Sequence, residues 1–374
     1  MKIICTRENL ANILSLVNGI AGKNINLPIL NNVLIKAEKN GVKLITTNLE
    51  LAITVQMRAK IEEEGSFTVP AKTLSDFVNL LSDETVELSI QENELKLTCG
   101  KSTTKIKGMP AEEFPVVPDV ESGRGYVIDR DELKNGLDKV NGSAAKNDIR
   151  PELAGIFFNF KGSEKQIIMA ATDSYRLAEK KIKITQGDDD AQLIVPARTA
   201  MEINRVLTIN KNIGGEEQQV RIVLSDNQIV LRNNDVELMS RLVEGKYPDY
   251  TQIIPENFKT LATVNASQLT KEVKAASLFT AVGVNAVVFK VKPSAGVIDV
   301  SSSSTQAGEH RSELNCEASG EELSIMLNHR YVLDGLNNIS SAECELKIVN
   351  SDSPCLFAPK DDKNYVYIVM PIRQ

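Results

Sequence analysis

The sequence is poor in the residues that catalytic chemistry uses. Its two histidines, His310 and His329, fall in different predicted elements and have no metal-ligand spacing. The five cysteines (Cys5, Cys99, Cys316, Cys344, Cys355) are odd in number and scattered through strand-like patterns, with no Cys-x-x-Cys pair. They read as reduced, small apolar residues in or near cores. There is no Gly-x-x-x-x-Gly-Lys, no Gly-x-Ser-x-Gly and no His-Glu-x-x-His. Thr172-Asp173-Ser174 places a carboxylate beside a hydroxyl, but no base accompanies them. The acidic clusters Asp188-Asp189-Asp190 and Asp361-Asp362 read as solvated loops, and the serine run at 301–304 as a strand end or loop. These absences argue against a hydrolase, a nuclease or a metalloprotein, and no catalytic residue, metal or cofactor is expected. No apolar run approaches the roughly 18 residues of a membrane span, and Met1-Lys2-Ile3-Ile4-Cys5 reads as a strand with no leader pattern. A cytoplasmic protein without a membrane partner is the expectation.

What the sequence does have is a repeat. Val69-Pro70-Ala71-Lys72-Thr73 returns as Val195-Pro196-Ala197-Arg198-Thr199, and a degenerate third copy lies near Asn328-His329-Arg330. The order of elements around the phrase repeats as well. A strand leads into a capped helix, alternating strands follow, a second strand and helix carry the phrase, and further strands close the unit. The period is about 125 residues, far above the 20–50 of solenoids, so each unit should be a domain with its own core. The helices carry single apolar stripes, such as Leu10, Ile13, Leu14 and Val17, or Leu269, Val273 and Ala276. The strands alternate with period two, as in Val86-Glu87-Leu88-Ser89-Ile90, the pattern of antiparallel sheets. The class is α+β, with two helices and about eight strands per domain. Linkers fall at 110–125 and 248–257, which places the domains at 1–121, 122–250 and 251–374. Open sheet edges need covering, and the edge of the next domain is the nearest cover.

The formal charge of −7 speaks against a nucleic-acid partner only if charge is evenly spread. Counted over the predicted helices and their flanks, where Lys23, Lys72, Lys134, Lys146, Arg150, Arg198 and Arg330 lie, the balance is about +4, leaving the remainder near about −11. If basic helices line the inside of an arc, packing sets its width. Helices pack about 10 Å apart, so a closed circle of six leaves about 9 Å clear, too tight for a duplex of about 20 Å. Twelve leave about 28 Å, so two copies are needed. Cations that touch phosphates without reading bases would bind weakly, without sequence preference and with strong salt dependence.

At this point a family resemblance becomes specific. Leu27-Pro28-Ile29-Leu30, Val69-Pro70-Ala71-Lys72, the segment Ala171-Thr172-Asp173-Ser174-Tyr175-Arg176-Leu177, the segment 242–250 and the terminal Tyr367-Ile368-Val369-Met370-Pro371-Ile372-Arg373 occur in order over the whole length. The chain thereby resembles the bacterial DNA polymerase III beta subunit, the sliding-clamp family. The resemblance implies a head-to-tail homodimeric ring with helices inside and sheets outside. Such a ring is non-catalytic, encircles double-stranded DNA and confers processivity by tethering the polymerase III alpha subunit. Its further partners would be an ATP-driven clamp loader and other polymerases and repair proteins that carry clamp-binding peptides.

The resemblance also implies sites. Lys23, Lys72, Asn147, Arg150 and Arg198 match DNA-contacting positions, with Pro151-Glu152 where some relatives carry two tyrosines. The peptide pocket corresponds to Leu153, Thr172, Ser174, Tyr175, Arg176, Leu177, Pro248, Gln252, Ile253, Pro354, Ile368 and Met370, and Tyr175 and Gln252 depart from the usual residue types. The dimer contact corresponds to Lys101, Lys105 and Lys107 meeting Leu278, Phe279, Glu309 and Glu313, an acidic side diluted by His310 and Arg311. Two other readings are a protein-binding repeat scaffold that encircles nothing and a nuclease or hydrolase. The latter would need the reactive cluster that the sequence lacks.

Overall fold

A computed structural model describes the chain except residues 23–25, 119, 121, 148, 213–216, 282 and 374. The first repeat runs β1 (Lys2–Thr6), α1 (Arg7–Val17), β2 (Asn32–Glu38), β3 (Gly41–Thr47), β4 (Leu51–Met57), β5 (Lys60–Glu63), β6 (Gly65–Pro70), α2 (Ala71–Asn79), β7 (Thr85–Gln91), β8 (Glu94–Cys99) and β9 (Ser102–Lys107). The second runs β10 (Arg124–Asp129), α3 (Arg130–Asn141), β11 (Gly155–Lys161), β12 (Gln166–Thr172), β13 (Arg176–Lys183), β14 (Asp190–Pro196), α4 (Ala197–Asn212), β15 (Gln219–Leu224), β16 (Gln228–Asn233) and β17 (Val236–Arg241). The third runs β18 (Thr260–Asn265), α5 (Ala266–Ser277), β19 (Ala286–Lys292), β20 (Val297–Ser304), β21 (Gly308–Asn315), β22 (Glu317–Gly320), β23 (Leu323–Asn328), α6 (His329–Asn337), β24 (Glu343–Ile348), β25 (Cys355–Pro359) and β26 (Tyr365–Val369). Among the described residues each repeat thus has two α-helices and eight or nine strands, as the alternation and stripes require.

Helix starts follow the caps in the sequence. Thr6 accepts from the Asn9 N–H (3.2 Å), Asp129 from those of Asp131 and Glu132 (2.9 Å each), and Asn265 from that of Gln268 (3.0 Å). The stripes of α1 and α5 are buried, Leu10, Leu14 and Val17 in one and Leu269, Val273 and Ala276 in the other. Their burial against the strands supplies most of the helices' stability, because helices this short are marginal alone.

The chain folds as two compact units. One comprises residues 1–134, 183–189 and 198–243, the other 135–182, 190–197 and 244–374, so the middle repeat is shared between them. In the first unit, an eight-stranded sheet runs β10-β15-β16-β17-β4-β3-β2-β6 beside a five-stranded sheet β5-β1-β7-β8-β9. In the second, a nine-stranded sheet runs β14-β11-β12-β13-β26-β25-β24-β18-β22 beside a four-stranded sheet β21-β20-β19-β23. Each long sheet joins two repeats through one antiparallel pair. These are β17 on β4 (Leu238 opposite Ile53, Ser240 opposite Leu51) and β13 on β26 (Leu177 opposite Ile368, Lys180 opposite Tyr365). Edge covering edge is what the strand count called for.

Helices reinforce both junctions. In the first unit Arg205 of α4 donates to the carbonyls of Ser15 (2.8 Å) and Leu16 (2.6 Å) at the end of α1, and a side chain at Gly19 would collide with that guanidinium. In the second, Asn338 after α6 donates to the Lys139 carbonyl of α3 (3.4 Å).

Three expectations need correction. The first linker is partly ordered into structure, since Arg124–Asp129 is a strand and Phe114 is buried against Ile29 and Leu30. The second linker contributes buried Tyr250, whose hydroxyl donates to Glu179 (2.7 Å) while its ring meets Phe157 edge-on. The pair Asp361-Asp362 is more than a solvated loop. Asp362 accepts from the buried Lys180 (2.6 Å) and Lys139 (3.3 Å), because two interior ammonium groups need a counter-charge. All five cysteines are free thiols, with Cys5, Cys99, Cys344 and Cys355 buried. Among the described residues no helix is long and apolar enough to cross a membrane.

Candidate functional site

The segment 172–176 forms a tight hydrogen-bonded turn at the entry to β13. The Thr172 hydroxyl donates to the Arg176 carbonyl (2.6 Å) and accepts from the Ser174 N–H (3.1 Å). The Asp173 carboxylate accepts from the N–H groups of Tyr175 (3.0 Å) and Arg176 (3.1 Å), and Ser174 sits at φ 77°. The Met370 N–H then donates to the Tyr175 carbonyl (2.9 Å), tying the turn to the end of β26.

The first repeat builds the same turn at the entry to β4. Thr47 bonds the Leu51 carbonyl (3.1 Å) and the Leu49 N–H (3.0 Å), Asn48 accepts from Glu50 (3.1 Å) and Leu51 (2.8 Å), and Leu49 sits at φ 78°. There the Arg241 N–H, at the end of β17, donates to the Glu50 carbonyl (2.8 Å). One Thr-Asx frame thus serves two junctions with different side chains mounted on it.

On the second copy of the frame those side chains enclose a cavity of about 680 Å³. Arg176, 4% exposed, lies in its wall. Its Nε donates to Asp173 (3.0 Å), an Nη to Asp334, and its guanidinium stands 4.8 Å from the centre of the Tyr331 ring. Burial works against the guanidinium's charge, but the Tyr367 phenol, Asp334 and Asp173 more than compensate, and its pKa is raised. Tyr175, 62% exposed, stacks on Tyr331 with ring centres 6.3 Å apart. The result is a flat aromatic shelf beside a fixed, neutralised arginine. It offers contact surface and hydrogen bonds but no base poised next to a nucleophile.

The residues assigned to the peptide pocket sort into three groups. Leu153, Ser174, Tyr175 and Arg176 line the cavity. Thr172, Leu177 and Ile368 lie behind it, buried, the first as part of the turn and the other two as a cross-strand pair. Met370 is half-buried and bonded to the turn, whereas Pro248, Gln252, Ile253 and Pro354 are not on the cavity wall. Ile253 is 36% exposed, and Gln252 donates to Asp249 (2.9 Å).

Tyr331, Asp334 and Lys146 are also on the wall, though sequence reading assigned none of them to the pocket and placed Lys146 only in the basic helical set. A signal for Tyr331 was present: it follows Arg330 in the third copy of the phrase, where the first two have Thr73 and Thr199. Asp334 comes one helical turn after Arg330 and shares its face.

The assigned DNA contacts scatter. Lys72 and Arg198 are exposed in the first turns of α2 and α4, with Lys72 3.6 Å from Asp76. Asn147 and Arg150 lie on the wall of the same cavity as Tyr175 and Arg176, and Arg150 pairs with Glu152 (2.9 Å). Lys23 lies outside the described residues. A larger, open cleft of about 1100 Å³ in the first unit, lined by Asn9, Asn12, Arg58, Lys60 and Asn210 among others, holds none of the assigned residues.

The residues assigned to the dimer contact sit on open strands. β9 is the outer strand of the five-stranded sheet, with Lys101 just before it and Lys105 and Lys107 exposed along it. β21 is the outer strand of the four-stranded sheet, with Glu309 and Glu313 exposed. Beside it, at the end of α5, Leu278 is 73% exposed and Phe279 stacks on His310 (5.8 Å).

Comparison with known proteins agrees over the full length. The models for the N-terminal, central and C-terminal domains of the DNA polymerase III beta subunit match residues 1–118, 127–249 and 251–373. The beta sliding clamps of Staphylococcus epidermidis and Staphylococcus aureus are each 28% identical over 357 residues, covering 93% of this chain and 92% of theirs. The crystal structure of the DNA polymerase III beta subunit of Thermotoga maritima superposes with a TM-score of 0.92 at 29% identity, covering 100% of this chain and 99% of that one. That of the Pseudomonas aeruginosa sliding clamp bound to griselimycin gives 0.93 at 27%, covering 100% of both chains. With three domain models matched in order and both junctions built by strand pairing, the chain belongs to the DNA polymerase III beta subunit family.

Proposed function

We propose that the protein is a DNA sliding clamp of three domains, 1–121, 122–250 and 251–374, that closes a ring round duplex DNA as a head-to-tail homodimer. The observation that carries this is the contrast between joined and open sheets. Two repeat junctions are sealed by strand pairing, while β9 and β21, one in the first repeat and one in the last, are outer strands with no further strand beside them among the described residues. An exposed strand edge is a template for pairing, and the two edges have opposite charge, Lys101, Lys105 and Lys107 on one and Glu309 and Glu313 on the other. Pairing of β9 with β21 of a second copy is the contact that repeats the internal junctions.

Lys23, Lys72, Asn147, Arg150 and Arg198 are the proposed phosphate contacts. The described ones, Lys72, Asn147, Arg150 and Arg198, are few and exposed, which suits holding DNA loosely while topology prevents escape. The cavity beside Tyr175 and Arg176 is the proposed docking place for the anchor residues of peptides from the polymerase, the clamp loader and repair proteins. The role is mechanical, and the setting is the cytoplasm. The test is retention on DNA. Protein loaded on a nicked circular plasmid should co-elute with it in gel filtration and be released when a restriction enzyme linearises the plasmid. Equal retention on linear and circular DNA contradicts encirclement.

A further inference from the structure

We propose that the cavity selects acidic docking peptides. An apolar or aromatic anchor packs on the Tyr175–Tyr331 shelf, and a neighbouring carboxylate is held by Lys146 and Arg330. This rests on the docking reading above and adds the partner's charge to it.

Some of the charges on the cavity wall are already paired. Both carboxylates on the cavity wall, Asp173 and Asp334, are bonded to the buried Arg176, whose single charge offsets one of the two. The other ionised groups on the wall are cations, Lys146, Arg150 and Arg330, and all three are exposed. Arg150 is partly answered by Glu152 (2.9 Å). Lys146 and Arg330 have no carboxylate partner among the described residues. In a protein of net charge −7, a concave surface with an excess of unanswered cations favours an anionic ligand.

The first repeat serves as an internal control. Its identical turn has Glu50 and Leu51 where this one has Tyr175 and Arg176, and Leu27-Pro28 stands where this one has Arg150-Pro151. The turn itself therefore folds without aromatic or cationic side chains at these positions, so the turn alone does not require them. A half-open cavity of about 680 Å³ with an aromatic shelf suits a few packed side chains of a peptide better than a nucleic-acid backbone.

The test uses fluorescence anisotropy on the full-length protein with two labelled ten-residue peptides. They share Leu and Phe anchors and differ only in flanks, Asp-Glu in one and Asn-Gln in the other. The acidic peptide should bind about five- to tenfold more tightly in 50 mM salt. The preference should vanish in 0.5 M salt and in the double variant Lys146→Glu/Arg330→Glu, whose sites are exposed and whose fold is checked by circular dichroism. Equal affinity of the two peptides for the unaltered protein overturns the inference and leaves docking intact. Failure of both to bind removes docking itself. Displacement of the acidic peptide by a 12-nucleotide single strand, abolished in the double variant, would reassign the cations to nucleic acid and also overturn the proposal.

Discussion

Lys180 donates to the Asp362 carboxylate across 2.6 Å, and the ammonium group is 6% exposed at its side chain. Lys139, nearly as buried, reaches the same oxygen at 3.3 Å and lies 4.8 Å from the centre of the Tyr365 ring. Replacing Asp362 by Asn would strand two interior cations. We expect a loss of about 3 kcal/mol, the lower end for breaking a buried pair because Asp362 keeps some solvent contact, read as a shifted urea midpoint with unchanged slope. Burial alone would raise the Asp362 pKa, but Lys180, the Asn364 N–H and Lys139 outweigh it, and the pKa is lowered. The contribution is thus fully present above the unfolded carboxyl value of about 3.9 and fades as pH falls through the lower folded value. The gap between wild type and Asp362→Asn should narrow as pH drops below about 4. A gap constant down to pH 2 would mean the carboxylate is not the source.

Arg176→Lys should be far from conservative. A single ammonium cannot serve Asp173 and Asp334 from two nitrogens while covering Tyr331 with a flat face. A stability loss of about 2–3 kcal/mol is expected, together with loss of binding by the anchor peptides described above. Calorimetry and anisotropy on the same preparation check both. Unaltered affinity in Arg176→Lys would show that the arginine holds the turn without shaping the cavity.

Lys105 on β9 is exposed, and its partner within the chain, Glu94, is 3.5 Å away in a solvated ion pair of small value. In the proposed dimer its role is towards a second copy. Lys105→Glu should weaken the dimer severalfold in 50 mM salt and much less in 0.5 M, where screening is nearly complete. Sedimentation equilibrium at the two ionic strengths measures it, and an unchanged dimer removes Lys105 from the contact.

Leu49 is held at φ 78° with 47% of its surface in water, a backbone region that costs a branched side chain about 1 kcal/mol. Leu49→Asn keeps the turn with a residue that tolerates this conformation. A gain of about 0.5–1 kcal/mol is expected by thermal unfolding. Destabilisation instead would mean that the Leu49 side chain packs more than its exposure implies.

Sequence patterns carried much of the architecture because they encode periodicities. The stripe Leu10, Ile13, Leu14, Val17 and the alternation through Val86, Leu88 and Ile90 are direct images of a helix face and a strand face. Caps such as Asp129 and Asn265 were readable because they act within three residues. The buried cluster of Lys139, Lys180 and Asp362 was not, since its lysines stand 223 and 182 positions from the aspartate and each alone resembles a surface charge. The cavity was half legible. Tyr175 and Arg176 stand in a recognisable motif, but Tyr331 and Asp334 arrive from a helix whose sequence signals only an amphipathic element. Conversely Leu177 and Ile368, named for the wall, are spent on the strand pair behind it, which no local pattern distinguishes from an exposed apolar residue.

Sharing a sheet across repeats makes the repeats poor candidates for dissection. Cutting near residue 250 strips β26 from β13, and cutting near residue 121 strips β4 from β17. An excised middle segment would therefore carry two raw flanks of unsatisfied amides and carbonyls, inviting promiscuous association. If the proposed ring closes by pairing β9 with β21 of a second copy, covalent and non-covalent neighbours are welded by one kind of seam, and the circle demands no new type of interface, only one more use of an old one.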